Sequence, residues 1–338
     1  MTRYIIRRIL GFIPVLFTIT LFTFVLMRAI PGGPFDFAGD RSLPPQVVAN
    51  IEAKYHLDWP MWKQFLSYLV GDDVLGEQGS SRGVIRGDLG PSLRYRSQTV
   101  SDIVATTFPT SAQLGVLSVL LAVVIGIPAG TIAALNQNRW PDYLATFGAV
   151  IFLSIPNLVL APILIWVFSL RLNWLPVAGW GAKPPYLLGF LPRPSQMNWS
   201  YITHAAMPVF ALGTGSAASI ARLTRASLLQ VIREDYIRTA RAKGLRERAV
   251  IIVHALKNSL IPVVTILGPL FAYLITGTFV VEQIFGINGM GKHFVQSVGN
   301  RDYNVITGLT LLLGVILVIA NLLVDVTYAW LDPRIRYD

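Results

Sequence analysis

The 338-residue chain has no cysteine, only four histidines and only 18 acidic residues. The missing cysteines exclude disulfides, thiol catalysis and thiolate-held metal. The histidines, at 56, 204, 254 and 293, stand at no metal-ligand spacing, and neither H-E-x-x-H nor G-x-S-x-G occurs. Charged residues make up 14%, too few for a soluble surface, while 53% are hydrophobic and mean hydropathy is +0.56. That balance belongs to polytopic membrane proteins. The net charge of +10 brackets apolar runs and lacks the aromatic-interleaved basic surface of a nucleic-acid binder, so no nucleic-acid partner is expected.

Uncharged runs long enough to cross about 30 Å of hydrocarbon fall at 9–27, 108–135, 143–170, 259–281 and 303–324. The first is too long for a cleaved leader and reads as an anchor. A weaker run at 205–221, rich in Gly, Ala, Ser and Thr, suits a helix packed among helices. It lengthens if Arg222 and Arg225 snorkel to the interface. The result is an all-α polytopic membrane protein with six spans.

Basic residues orient these spans. Arg3, Arg7 and Arg8 precede the first, Arg139 lies between the second and third, nine Arg or Lys follow the fourth, and Arg334 and Arg336 follow the sixth. Both termini are therefore expected in the cytoplasm. Residues 1–30 hold the first span, 31–107 form a small extracytoplasmic domain, and 108–338 form a five-helix core with a cytoplasmic loop at 232–260. Within 31–107, PPQVVANIEAKYHL and FLSYLV have helical patterning and 72–90 reads as loop. The five prolines and three tryptophans of 171–204 read as an irregular, interface-anchored cap.

The basic interval Arg222–Pro262 carries nine bases against three acids. Glu234 and Asp235 open a helical run, Arg241 and Lys243 close it, and Gly244 supplies a left-handed stop, an order that complements the helix dipole. A second helix is expected over 247–257. Orientation alone does not need such an excursion, which reads as a shaped surface for a cytoplasmic partner.

Gly286-Ile-Asn-Gly-Met-Gly-Lys292 has the frame of a phosphate-binding loop, but His293 stands where Ser or Thr must hold magnesium. The segment reads as an external turn, and no ATP site is expected in this chain. No acid or histidine falls in mid-span, which argues against ion coupling and leaves a secondary transporter or channel as the weaker alternative. Asp325 reads as a packing or interface residue. Gly126-x-x-x-Gly130 allows close helix approach. Ser154, Asn157, Thr214, Ser216, Ser219, Thr265 and Thr276 either line an aqueous path or hydrogen-bond between helices.

Several segments together resemble a known family. They are MRAIPGGPF, LPPQVVANIEAKYHL, GDLGPSLRYRSQTVSDIVATTFPTSAQLG, SIARLTRASLLQVIREDYIRTARAKGL, ITGTFVVEQIFGINGMG, NRDY and VDVTYAWLDPRIRY. The chain is similar to permease subunits of bacterial ABC importers for peptides, and within them to the B-type permeases of oligopeptide importers. The resemblance implies a type I importer permease in the bacterial inner membrane, non-catalytic itself and gating by alternating access. The implied partners are a second homologous permease, two cytoplasmic ATPases holding ATP and Mg, an extracytoplasmic peptide-binding protein, and the peptide. The ATPase-coupling residues carried over are Glu234, Asp235, Tyr236, Arg238, Thr239, Ala240, Arg241, Lys243 and Gly244. The family signature E-A-A-x-x-x-G falls on Arg238-Thr239-Ala240-x-x-x-Gly244, with Arg in place of Glu and Thr in place of the first Ala. Related permeases for dipeptides, nickel chelates, glutathione and some oligosaccharides make the solute the open point.

Overall fold

The computed structural model describes residues 2–30, 33–34, 44–76, 81–95, 97–276 and 278–331. These residues are helical with two isolated β-bridges, Pro91 with Thr99 and Leu187 with Leu191. The C-terminal arginines at 334 and 336 lie outside them.

Helix α1 (Thr2–Ala29) is the first span; α2 (Pro45–Lys54) and α3 (Met61–Val70) follow in the segment expected to be extracytoplasmic. Helix α4 (Val100–Leu135) starts eight residues before its uncharged run. The acid that interrupts the run, Asp102, forms a reciprocal capping box with Thr99, so its charge helps to start the helix. The turn at 136–139 leads to α5 (Trp140–Ser154) and α6 (Asn157–Leu164), which continues as a π-helical stretch Ile165–Arg171. The uncharged run expected as one span over 143–170 is sharply broken: α5 and the segment from Asn157 meet at 101°. Pro156 has no amide to donate and holds Ile155 extended, which ends α5 there.

Helix α7 (Trp199–Val231) runs well beyond the weak apolar stretch, as the snorkelling expectation required. Then come α8 (Asp235–Ala242), α9 (Glu247–Ala249), a π-helical stretch Val250–Leu256, and α10 (Lys257–Ser259). Helices α11 (Ile261–Ile275), α12 (Phe279–Ile284), α13 (Met290–Asn300) and α14 (Tyr303–Leu331) complete the chain. Among the described residues four helical stretches are long and apolar enough to cross a membrane, and the bent pair would make five. Helix α7 is longer than the bilayer requires but less apolar.

Helices α4 and α7 form the most extensive pair. Their closeness depends on the Gly pair: a Cβ on Gly130 would lie 2.3 Å from the Ala221 carbonyl oxygen, and one on Gly126 2.7 Å from that of Ala217. The N-terminal ends of α4 and α14 share a core of Val100, Ile103, Val305 and Leu309, with Met290 of α13. At the far end of α14, Asp325 pairs with Arg8 of α1 at 2.7 Å. The described basic groups at the start of α1, in the α4–α5 turn and after α7 therefore gather at one end of the bundle.

Arg225 does not snorkel freely. Its Nε and Nη2 donate to the two oxygens of Asp142 at 2.6 and 2.7 Å, and Asp142 is almost fully buried. This fork-to-fork pair fastens α5 to α7. Arg222, one turn earlier, is exposed.

Candidate coupling surface and transport path

The segment after α7 is a helical hairpin with a small core of its own. Ile237 and Ala240, one turn apart on α8, point inward and meet Val250 and Ala255 on the returning limb. Ala134 at the end of α4 and Leu228 near the end of α7 complete the cluster. The hairpin is thus packed onto the ends of the two helices that form the bundle's main pair.

Charge order shapes α8. Asp235 sits in its first turn and Arg241 in its last, each favourable to the helix dipole. Gly244 then takes φ +72°, the left-handed stop read from the sequence, and the chain reverses. Across this turn Arg241 grips Glu247 through two hydrogen bonds, at 2.7 and 3.1 Å. The guanidinium holds the Glu247 carboxyl below its ordinary range, and Glu247 in turn raises Arg241. Asn258 donates to the Tyr236 hydroxyl at 2.8 Å, a second tie between the limbs.

Of the nine candidate coupling residues, Glu234, Asp235, Tyr236, Arg238, Thr239, Arg241, Lys243 and Gly244 are exposed. Ala240 faces the hairpin core and serves to seat the helix. Arg238 and Asp235 pair at 3.2 Å in nearly full solvent, an interaction that costs little to break. The outward surface carries cations over anions and the exposed aliphatics Leu245, Ile252 and Val253. It has the mixed chemistry of a docking face.

The seven candidate path residues are dispersed. The hydroxyls of Thr214, Ser216, Ser219, Thr265 and Thr276 each donate to the carbonyl four residues earlier in their own helix. These donors are spent locally, within helices, while the Thr265 hydroxyl also accepts the Tyr328 hydroxyl of α14, a bond between helices. Ser154 and Asn157 flank the 101° break. Thr214 lines a cavity of about 220 Å³ between α4, α5 and α7, and Thr276 lines another of about 200 Å³ walled by Tyr273, Phe279, Met290, Phe294 and Leu313. A third cavity, about 200 Å³, lies beside Gly130, Ala149, Arg222 and Arg225.

Three buried polar groups escaped the sequence reading. Glu282, fully buried near the end of the apolar stretch Ile261–Ile284, takes a 2.7 Å bond from the Ser111 hydroxyl and a 3.1 Å bond from the Lys292 amide. Ser111 in turn receives the Met290 amide at 2.8 Å. Together they satisfy the open amides at the start of α13. The phosphate-loop look-alike is thus a helix start capped by the protein's own carboxylate. Asp302 accepts the Ser92 hydroxyl and the amides of Leu93 and Arg94, fixing the segment before α4 to the start of α14. Gln113 takes the Trp180 indole at 2.9 Å and donates to the Phe190 carbonyl at 2.7 Å, which pins the irregular 172–198 segment to α4.

Comparison with known proteins agrees with this architecture. The family described as "Binding-protein-dependent transport system inner membrane component" matches residues 126–337, and its N-terminal companion family matches residues 1–115. The oligopeptide transport system permease protein OppB of Salmonella typhimurium is 44% identical, covering all of both chains. The dipeptide transport system permease protein DppB of Bacillus subtilis is 42% identical over 99% of this chain and 98% of its own. The glutathione transport system permease protein GsiC of Escherichia coli is 38% identical over all of both. Among solved structures, the inward-facing MetNI methionine ABC transporter superposes with a TM-score of 0.50 at 19% identity, covering 67% of this chain and 94% of that one. The chain belongs to the binding-protein-dependent transport system inner membrane components, integral membrane permease subunits of ABC importers with the type I fold.

Proposed function

We propose that this permease moves oligopeptides from an extracytoplasmic binding protein into the cytoplasm by alternating access, with both termini cytoplasmic in a bacterial inner membrane. End-to-end similarity to oligopeptide permeases carries this reading. The chain works beside a second, homologous permease. Two partner ATPases hold ATP and Mg and perform the hydrolysis; this subunit is the gate.

The hairpin of α8 to α10 is the mechanical input. Its exposed face docks on the ATPase, and its inner face shares side-chain contacts with the ends of α4 and α7. ATP-driven closure of the ATPases displaces the hairpin as one body, because the Arg241–Glu247 grip and the Ile237 core hold its limbs together. Close packing across Gly126 and Gly130 makes α4 and α7 tilt together rather than slide independently. The gathering of basic residues at the hairpin end supports placing that end in the cytoplasm.

A dipeptide substrate is the second reading, favoured by the B. subtilis relative. The deciding experiment purifies the complex with its binding protein, identifies retained ligand by mass spectrometry, and tests ATP-driven uptake of that ligand in proteoliposomes. Retained peptides of three or more residues, taken up only with ATP, are expected. Dipeptides alone would establish the second reading, and uptake without ATP would overturn both.

A further inference from the structure

Helix α3 belongs to the segment expected to form an extracytoplasmic domain, yet its two faces differ sharply. Trp62, Phe65, Leu66 and Leu69 repeat at helical spacing along one side. Gln64, Ser67 and Tyr68 occupy the other. The polar side covers a cavity of about 50 Å³ lined also by Arg28, Asp72 and Asn304. It is well occupied: Gln64 accepts the Arg28 guanidinium at 2.7 Å and donates to the carbonyls of Leu57 and Trp59, and Ser67 donates to Asp72. The apolar side is largely uncovered, with Met61 43%, Trp62 69% and Leu66 39% exposed. In water this face would be a costly surface on a helix of only ten residues.

The depth of α3 identifies what covers it. Its Phe65 ring packs edge-on against both Phe24 and Phe17 of α1, with centroids 5.1 and 5.7 Å apart, and its Tyr68 ring lies 6.0 Å from Phe24. These partners lie inward of Arg28, and at ~1.5 Å per residue Phe24 is ~6 Å and Phe17 ~16 Å along the axis from it. Arg28, near the end of α1, stacks on Phe24 at 3.4 Å while bonding Gln64, which marks the polar boundary. Helix α3 therefore lies alongside the outer turns of a spanning helix, not above it. Phe17, its contact on α1, is itself 46% exposed, and Phe22, elsewhere around α1, is 64% exposed. Lys63, its one charged residue, rests over the Trp59 ring at 3.8 Å.

We propose that α3 is an interfacial helix lying in the bilayer boundary at the end of α1, with Met61, Trp62 and Leu66 in contact with lipid acyl chains. Such helices bury an apolar face ~5–10 Å into the headgroup and acyl boundary; contact with Phe24 needs that depth, and the Phe65 ring reaches further inward to Phe17. Tryptophan is a favoured residue at that level. The polar face then seals Arg28 and Asp72 from the hydrocarbon, so one short helix serves as both lipid contact and lid. The proposal rests on α1 crossing a bilayer and is independent of the substrate.

The absence of native cysteine makes the test direct. Trp62→Cys and Leu66→Cys are made singly, spin-labelled and measured in the assembled transporter in phospholipid nanodiscs, for collision with oxygen and with a water-soluble nickel chelate. Phe22→Cys serves as the lipid reference, and Ile85→Cys, at a position 75% exposed on the outer loop, as the aqueous one. The expected oxygen-to-nickel ratio at 62 and 66 is several-fold above that at 85 and close to that at 22. A ratio at both positions equal to that at 85 would place the helix in water and overturn the proposal. Low collision with both reagents would overturn it as well, since the face would then be covered by a second protein chain. Because nanodiscs expose both sides to the chelate, the result does not depend on which side is outer. The two labelled positions are read independently, so a folding failure at Trp62 leaves Leu66 to decide.

Discussion

The coupling hairpin and the opposite end of the bundle are held together by different means. Within the hairpin, ion pairs sit in solvent, Arg238 with Asp235 and Arg241 with Glu247, although beneath it Asp142 is buried against Arg225. At the other end, Glu282 and Asp302 are buried and saturated by hydroxyls and backbone amides from distant parts of the chain. Exposed charges are worth little to folding but stay available to a partner. Buried carboxylates are expensive to leave unmatched, so they hold one geometry. The contrast fits the proposed role of the hairpin as an input surface docked on a partner, with a fixed scaffold at the opposite end.

Four variants can break or sharpen that contrast. Gly244→Val has the largest expected effect on transport. No atom lies within 4 Å of a Cβ there, so the substitution acts through the left-handed backbone, which costs a non-glycine residue ~1–2 kcal/mol and more for a branched one. Uptake should fall at least tenfold with peptide binding to the external receptor intact. Next is Asp142→Ala, which leaves Arg225 without its forked partner beneath the hairpin. The loss should approach ~3 kcal/mol, the low end for a broken buried pair because the Arg225 side chain is 29% exposed. A lowered Tm of the purified complex would register it. At the outer end, Ser111→Ala strips a donor from Glu282 and an acceptor from the Met290 amide, for a cost of ~1–3 kcal/mol. Thermal unfolding should shift down while ATP hydrolysis by the assembled complex is unchanged.

Glu247→Gln is the mildest. The Arg241 pair is about half exposed, so its loss should cost under ~1 kcal/mol. Because Arg241 depresses the Glu247 pKa, the pair's contribution is full above the ordinary carboxylate range and disappears as pH falls through the lowered value. Wild type and Glu247→Gln should therefore differ slightly in Tm at neutral pH and converge in strong acid. If Glu247→Gln cost as much as Ser111→Ala, the contrast between the two ends would fail.

The long helices and their order were legible because hydropathy is a local property, whereas α12 and α13, short and beside or within the stretch read as a turn, were not. So were the Gly244 stop and the Gly126/Gly130 approach, each of which depends on what a side chain at that position would do. Pro156 stood in the sequence as a residue able to bend a span, but the unbroken apolar run on either side hid how sharply the chain turns there. Glu282 and Asp302 were counted only as external acids, since their partners Ser111 and Ser92 lie 171 and 210 residues away. The same distance concealed Asp142 as the partner of Arg225. The path hydroxyls could not be assigned from sequence because a serine bonded to its own helix and one facing water have the same spelling.

The proposed role of the hairpin requires that the exposed face of α8 meet the ATPase. With no native cysteine, Thr239→Cys on that face and Ala240→Cys in the hairpin core can be compared by cross-linking in the assembled complex. Position 239 should link to an ATPase subunit with a yield that changes on ATP addition, and position 240 should not. Absence of any ATPase adduct at 239, or an adduct with the external binding protein, would contradict the account.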